Sequence, residues 1–223
     1  MPELYDAPGN GHTTGGIVSP VLANIYLHYA LDVWFDETVR VHCKGNVYLC
    51  RYADDFVCAF ELESDAQRFY ETLPKRLAKF GLEVAPEKTH ILPFDRNSKC
   101  RFEFLGFEIF WGKSRWGKRV LKRRTSRKKY QAALVSFKEW CQKHGHLPKH
   151  VLFTQLNQKL RGYWNYYGIR GNYDSLGDYF YRIKGILFKW LNQRSQRRSY
   201  TWTGFKALLN DFRLAKPRIC HDF

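Results

Sequence analysis

The sequence predicts an α+β protein, a small antiparallel sheet with packed helices followed by an all-helical bundle. Three observations predict it. Val47–Arg51 and Phe56–Phe60 are short runs of β-branched, aromatic and apolar residues joined by a polar tip, the pattern of a strand hairpin. The stretches on either side of that hairpin repeat apolar residues at helical spacing. From Ser126 onward the period is helical throughout and the connections are short, which predicts antiparallel helices. The change of period sets a boundary near residue 125, giving parts 1–125 and 126–223.

Taken in order, Met1 to Gly16 contains Pro2, Pro8, Gly9, Gly11, Gly15 and Gly16 and reads as loop. Ser19-Pro20 is a helix start, Ser as N-cap and Pro at the first helical position. The helix predicted from Pro20 to about Glu37 is apolar on every face, so it is expected to pack on several sides. Asp32 and Asp36 then form its solvated edge. After the hairpin, Ser64 and Gln67 form a capping box for a helix reaching Phe80. Pro74 kinks that helix and Gly81 ends it. Leu82–Val84 and His90–Leu92 are strand candidates flanking Pro86-Glu87-Lys88. Arg101–Phe110 alternates aromatic and polar residues and pairs, through a glycine-containing turn, with Val120–Lys122. Four helices follow: Ser126–His144, Val151–Tyr167, Asp174–Arg194 and Thr203–Phe212.

Composition narrows the class. The chain has 223 residues, 17% of them aromatic, and a net charge of +16. A disordered polycation lacks such aromatic content, so this is a folded basic protein. Residues 1–95 carry 8 Lys or Arg against 14 Asp or Glu, and the remainder 29 against 7, net −6 and +22. A polyanion held by the second part is the implied partner. The six cysteines show no paired spacing and no signal peptide precedes them, which points to a reducing, cytoplasmic location. No apolar run reaches the ~18 residues of a membrane span.

The chemistry concentrates at the hairpin tip, where Asp54 and Asp55 are adjacent. Two anions at an apex repel each other unless a cation offsets them. Hard oxygen donors without nearby His or Cys favour Mg²⁺, with Asp54 as the principal ligand and Asp55 as the second. The alternative is an acidic hairpin loop, since Asp is common in turns.

Five separated stretches together resemble one family in the right order. Gly15-Gly16-Ile17-Val18-Ser19-Pro20-Val21-Leu22-Ala23-Asn24-Ile25-Tyr26-Leu27 is similar to the glycine loop and helix of reverse transcriptases. Tyr52-Ala53-Asp54-Asp55 resembles their catalytic turn. Gly81-Leu82-Glu83-Val84 with Lys88-Thr89 is similar to the following palm motif. Phe104-Leu105-Gly106-Phe107 resembles the primer-gripping strand. Leu160-Arg161-Gly162-Tyr163-Trp164-Asn165-Tyr166-Tyr167 resembles the maturase-specific domain of group II intron proteins.

The resemblance implies a partial reverse transcriptase palm over 1–125 and a thumb and maturase bundle over 126–223. Its chemistry is phosphoryl transfer by two divalent metals roughly 3.5–4 Å apart. Asp54 and Asp55 would be metal ligands and Lys88 a proton donor to the leaving pyrophosphate, the alternative for Lys88 being a solvated turn lysine. Gly15, Gly16, Tyr52 and Ala53 would face nucleotide and template; Phe104, Leu105 and Gly106 would grip the primer. The implied partners are intron RNA and an RNA template with a DNA primer. In that family a further aspartate and the fingers lie earlier than this chain begins, and Thr13-Thr14 stands where Pro-Gln is usual. The chain is therefore expected to be a C-terminal portion, incomplete as a polymerase alone: either a truncated copy or one half of a split protein whose N-terminal half is a separate chain. The alternative is a non-catalytic RNA-binding fragment.

Ten of the seventeen residues from Lys113 to Lys129 are basic, among them Arg119, Lys122, Arg123, Arg124, Arg127, Lys128 and Lys129. A solvated basic face is the ordinary reading of such a run. Its place at the sheet–bundle junction makes it an RNA-binding candidate, which Arg161, the more distal Arg194, Arg197 and Arg198, and the stacking rings of Tyr163, Tyr166, Tyr173 and Trp202 would extend. Cys141, His144, His146 and His150 lack the paired spacing of zinc sites and read as a helix-connecting loop.

Overall fold

Pro20, locked near a helical φ and lacking the N–H that a first turn leaves unpaired, starts helix α1 (Ser19–Leu27). The computed structural model describes residues 18–193 and 200–222. Gly15, Gly16 and the 1–16 loop, and Arg194, Arg197 and Arg198, lie outside the described residues. The chain divides into two compact units, Met1–Pro93 and Phe94–Phe223.

In the first unit α1 runs on through two π-helical turns, His28–Asp32 and Phe35–Val39, into α2 (Arg40–His42). Each π turn fits one extra residue into the spiral and so turns the apolar stripe. Ala30, Leu31, Trp34, Phe35 and Val39 are buried, whereas α1 buries none of its residues and leaves Val21, Leu22 and Ile25 more than half exposed. The expectation of a helix packed on several sides thus holds for the π turns and fails for α1. Arg76 caps the widened stretch: its guanidinium donates to the Ala30 and Tyr29 carbonyls (3.0 and 3.1 Å) while lying over the Phe80 ring.

β1 (Val47–Tyr52) and β2 (Asp55–Phe60) form the predicted hairpin, paired from Val47↔Phe60 to Tyr52↔Asp55. Helix α3 (Glu63–Ala78) packs Phe69, Leu73 and Leu77 against Phe35, Phe60 and Trp34. Its predicted capping box does not form. Leu62 is the N-cap and Gln67 turns to Glu71. The buried Asp65 carboxylate instead accepts from the Lys44 and Gly45 amides ahead of β1, which uses the helix's own acidic residue to tie down the loop. Gly81 ends α3 with φ +64°, and the Leu82 amide returns to the Leu77 carbonyl. The two strands expected at Leu82–Val84 and His90–Leu92 are absent. That segment holds only a 3₁₀ turn, Pro86–Lys88. Pro86 and Pro93 supply no N–H for a ladder, and Leu82 and Val84 pack on the α3 core instead.

The second unit opens with a three-stranded antiparallel sheet, β3 (Arg101–Phe104), β4 (Phe107–Lys113) and β5 (Arg119–Thr125). The expected single strand Arg101–Phe110 is two strands, because Leu105 and Gly106 take φ +50° and +77° and reverse the chain. Two central residues with positive φ make a type I′ turn. Strand then gives way to helix at residues 125–127: Ser126 caps α4 (Arg127–His144), accepting from the Lys129 amide. The helices α5 (Lys149–Tyr167), α6 (Tyr173–Asn192) and α7 (Trp202–Asp211) complete the bundle, around a core that includes Phe137, Leu156, Trp164, Ile183 and Phe205. Buried Asn172 joins sheet to bundle. Its amide donates to Thr125 Oγ1 and the Tyr167 carbonyl, and its oxygen accepts the Thr125 amide. Residues 214–222 then form a strap along α5. Trp164 Nε1 donates to the Ala215 carbonyl, the Ala215 amide to Asn157, and the Cys220 and His221 amides to the Gly168 carbonyl.

Candidate functional site

Tyr52 and Asp55 close the β1–β2 hairpin, so Ala53 and Asp54 are its two turn residues. Ala53 sits at φ +53°, a conformation in which a Cβ costs about 1–2 kcal/mol and which two-residue hairpins normally give to glycine. Something must hold it there. Arg51, the penultimate residue of β1, does so. Its Nη1 donates to the Ala53 carbonyl (2.8 Å) and to Asn24 Oδ1 of α1 (2.9 Å). Its Nε and Nη2 donate side by side to the two Asp32 oxygens, both at 2.7 Å. One planar guanidinium thus ties strand, turn, α1 and the first π turn together.

From sequence alone Asp32 is expected on the solvated edge of its helix. The structure corrects this: its side chain is 24% exposed and that of Arg51 13%. The guanidinium beside Asp32 holds its carboxyl below the usual carboxylate range, and the carboxylate in turn raises Arg51. A signal was present in the sequence. An arginine inside an apolar strand and an aspartate inside an apolar helix each need an opposite charge, and they had one another.

With Arg51 committed to Asp32, it does not neutralise the tip. Asp54 and Asp55 are both exposed, and among the described residues neither carboxylate has an ion-pair partner. Two adjacent hard-oxygen donors fit a magnesium ion, which characteristically takes one or two carboxylates and completes its shell with water and substrate phosphate. No group of three candidate metal ligands occurs among the described residues, at this turn or at Cys141 and its neighbouring histidines. Tyr52 stands beside the turn, 67% exposed. Lys88 is an exposed residue of the 3₁₀ turn. Gly15 and Gly16 lie outside the described residues.

In the second unit, Phe104 ends β3 and Leu105 and Gly106 form the β3–β4 turn, so the expected primer-gripping strand is broken there. Tyr166 donates its hydroxyl to the Leu105 carbonyl (2.9 Å) and stacks on Phe107. A Cβ on Gly106 would meet the Tyr167 hydroxyl at 3.2 Å, so the turn is seated firmly on α5. Of the basic candidates, Arg119, Arg124, Arg127, Lys128, Lys129 and Arg161 are exposed, and Lys122 and Arg123 are partly buried. Arg124 is engaged by Glu108, which Arg101 also approaches at 3.5 Å. Tyr163 belongs to the aromatic core. Its ring stacks on Tyr179 at 4.1 Å and its hydroxyl is buried, so it is not an open platform for bases.

Comparison with known families finds a likeness over part of the chain. The model of the reverse transcriptases (RNA-dependent DNA polymerase) matches residues 7–109. The match takes in the carboxylate turn, Lys88 and the Leu105-Gly106 turn, and stops within β4. At the level of that family the activity is RNA-directed DNA polymerisation, a nucleotidyl transfer on a template–primer that generally uses Mg²⁺. No curated protein matches the chain.

Proposed function

We propose that this chain carries the catalytic turn of a group II intron reverse transcriptase and that its basic helical unit binds intron RNA and assists splicing. The observation that carries the polymerase reading is the tip itself: two exposed, unpaired acids on a strained hairpin that a four-bond arginine bracket holds in place.

In this reading Asp54 and Asp55 hold Mg²⁺ against the growing primer end. When bound, the metal stabilises charge on the attacking and leaving oxygens of the phosphoryl transfer. Arg51 fixes the turn so that both carboxylates are pre-positioned. Tyr52 flanks the incoming nucleotide, Gly15 and Gly16 the template, and the Leu105-Gly106 turn the primer. Lys88 gives its proton to the departing pyrophosphate. The basic residues from Arg119 to Lys129, with Arg161, contact intron RNA through phosphates. A cytoplasmic site of action accords with six cysteines that are all unbridged.

One observation favours a second reading. The described residues offer no third acidic ligand near the turn, so the chain by itself acts as a structured-RNA-binding fragment unless further ligands are supplied in trans. Two assays separate the readings. Terbium luminescence sensitised by Tyr52 should appear on titration and vanish in Asp54→Ala with Asp55→Ala; an unchanged signal removes the metal assignment. Primer extension on an RNA template that is lost in Asp54→Ala supports catalysis by this turn. Extension that survives the substitution refutes it, and retained RNA binding without extension selects the fragment.

A further inference from the structure

The β4–β5 loop, Ser114–Lys118, is a tightly closed tip. The Ser114 amide donates to the Lys118 carbonyl (2.8 Å), the Gly117 amide to the Ser114 carbonyl (3.0 Å), and Gly117 takes φ +77°. At its apex Trp116 is 73% exposed, the most exposed large apolar side chain among the described residues. The Arg115 guanidinium lies 4.2 Å from the ring centroid. Lys113, Lys118 and Arg119 lie within three residues of Trp116 along the chain, and all are exposed.

Scattered exposed apolar residues are ordinary, and an isolated tryptophan would call for no account. This one differs in its setting. One face of the indole is covered by a cation, which orients the ring and increases its attraction for a π system on the other face. The loop bonds fix the backbone that carries it, so little order remains to be imposed on binding. The cations around it attract phosphates, and a single-stranded nucleic acid brings a run of phosphates together with flat π faces. A base-paired duplex hides those faces, whereas an unpaired segment presents them.

We propose that Trp116 is a stacking platform for an unpaired base of a single-stranded nucleic acid, with Arg115 on the opposite face and Lys113, Lys118 and Arg119 on the flanking phosphates. The proposal rests on the reading of the second unit as nucleic-acid-binding, and adds to it a preference for single strands.

Fluorescence anisotropy with a labelled single-stranded 12-mer and a labelled hairpin duplex closed by a non-nucleotide linker tests it, using the full chain, Trp116→Ala and Trp116→Phe. Trp116→Ala should weaken single-strand binding about tenfold and leave the hairpin affinity and the salt slope unchanged. Trp116→Phe, which keeps a π face, should recover most of the loss. Indole quenching on adding the 12-mer should be smaller in Trp116→Phe than in the parent chain. Equal single-strand binding by Trp116→Ala overturns the stacking role while leaving RNA binding intact. An equal loss for strand and hairpin also overturns it, since a phosphate-only contact behaves that way. Failure of the parent chain to bind either probe removes the nucleic-acid reading, and the platform with it.

Discussion

Removing the Arg51 bracket should loosen the acidic tip without emptying it. Arg51→Met keeps the aliphatic stem and deletes four donated bonds, two to Asp32 and one each to Asn24 and the Ala53 carbonyl. Breaking a fully buried pair costs about 3–5 kcal/mol and an exposed one under about 1 kcal/mol. With side chains 13% and 24% exposed, the loss should be about 2 kcal/mol. The assay is hydrogen exchange of the β1–β2 amides, which should quicken roughly thirtyfold where opening of the hairpin limits exchange. A double-mutant cycle with Asp32→Ala should return a coupling of about 1 kcal/mol or more. A loss below about 0.5 kcal/mol, or a coupling near zero, would refute the idea that this guanidinium supports the turn.

Other outcomes follow from the same geometry. Asp32 is held below its unfolded value, so the stability it adds is full above about pH 4 and fades as pH falls through its native value; the urea midpoint gap between the parent and Asp32→Asn should shrink between pH 7 and pH 2.5, and a constant gap contradicts the assignment. Burial pushes the Cys58 and Cys141 thiols up to about 12, so at pH 8 a disulfide reagent should label exposed Cys50 well before either; prompt native-state labelling of Cys141 would disprove its burial. A Cβ on Gly168 would lie 2.2 Å from the Trp164 carbonyl and 2.6 Å from that of Arg218, both backbone atoms, whereas one on Gly185 meets open space. Gly168→Ala should therefore cost about 2 kcal/mol or more and Gly185→Ala should stabilise by about 0.5 kcal/mol, read by thermal melting. Neutralising Lys122, Arg123 and Lys128 together should lower the salt slope of single-stranded RNA binding by about 2, while Asp54→Ala leaves it unchanged; the reverse pattern would move the RNA face elsewhere.

Elements set by local signals were legible in the sequence. The hairpin around Asp54 and Asp55, the helix start at Pro20 and the four bundle helices depend on strand alternation, the fixed φ of proline and apolar spacing, all of which a linear reading sees. What it missed depends on partners distant along the chain. The π turns that redirect the apolar face of residues 28–39 are stabilised in part by Arg76, some forty-six residues on. Asp65 lies in the first turn of α3 and serves the loop before β1. Leu105 gave no hint of a left-handed conformation, because leucine rarely adopts one, and the turn is held by Tyr166 from α5. At the candidate site the acids were found from their own neighbourhood, whereas the arginine that positions them was not, since its role exists only once α1 and β1 are side by side.

The 214–222 strap bears on how the helical unit is made. On a ribosome α5 emerges first, with the Trp164 indole N–H and the Gly168 carbonyl still wet, and the segment that meets them follows some fifty residues later. At roughly 5–20 residues per second the bundle waits several seconds in an unfastened state. Vectorial synthesis therefore exposes the basic helices to surrounding RNA before the unit that carries them is locked.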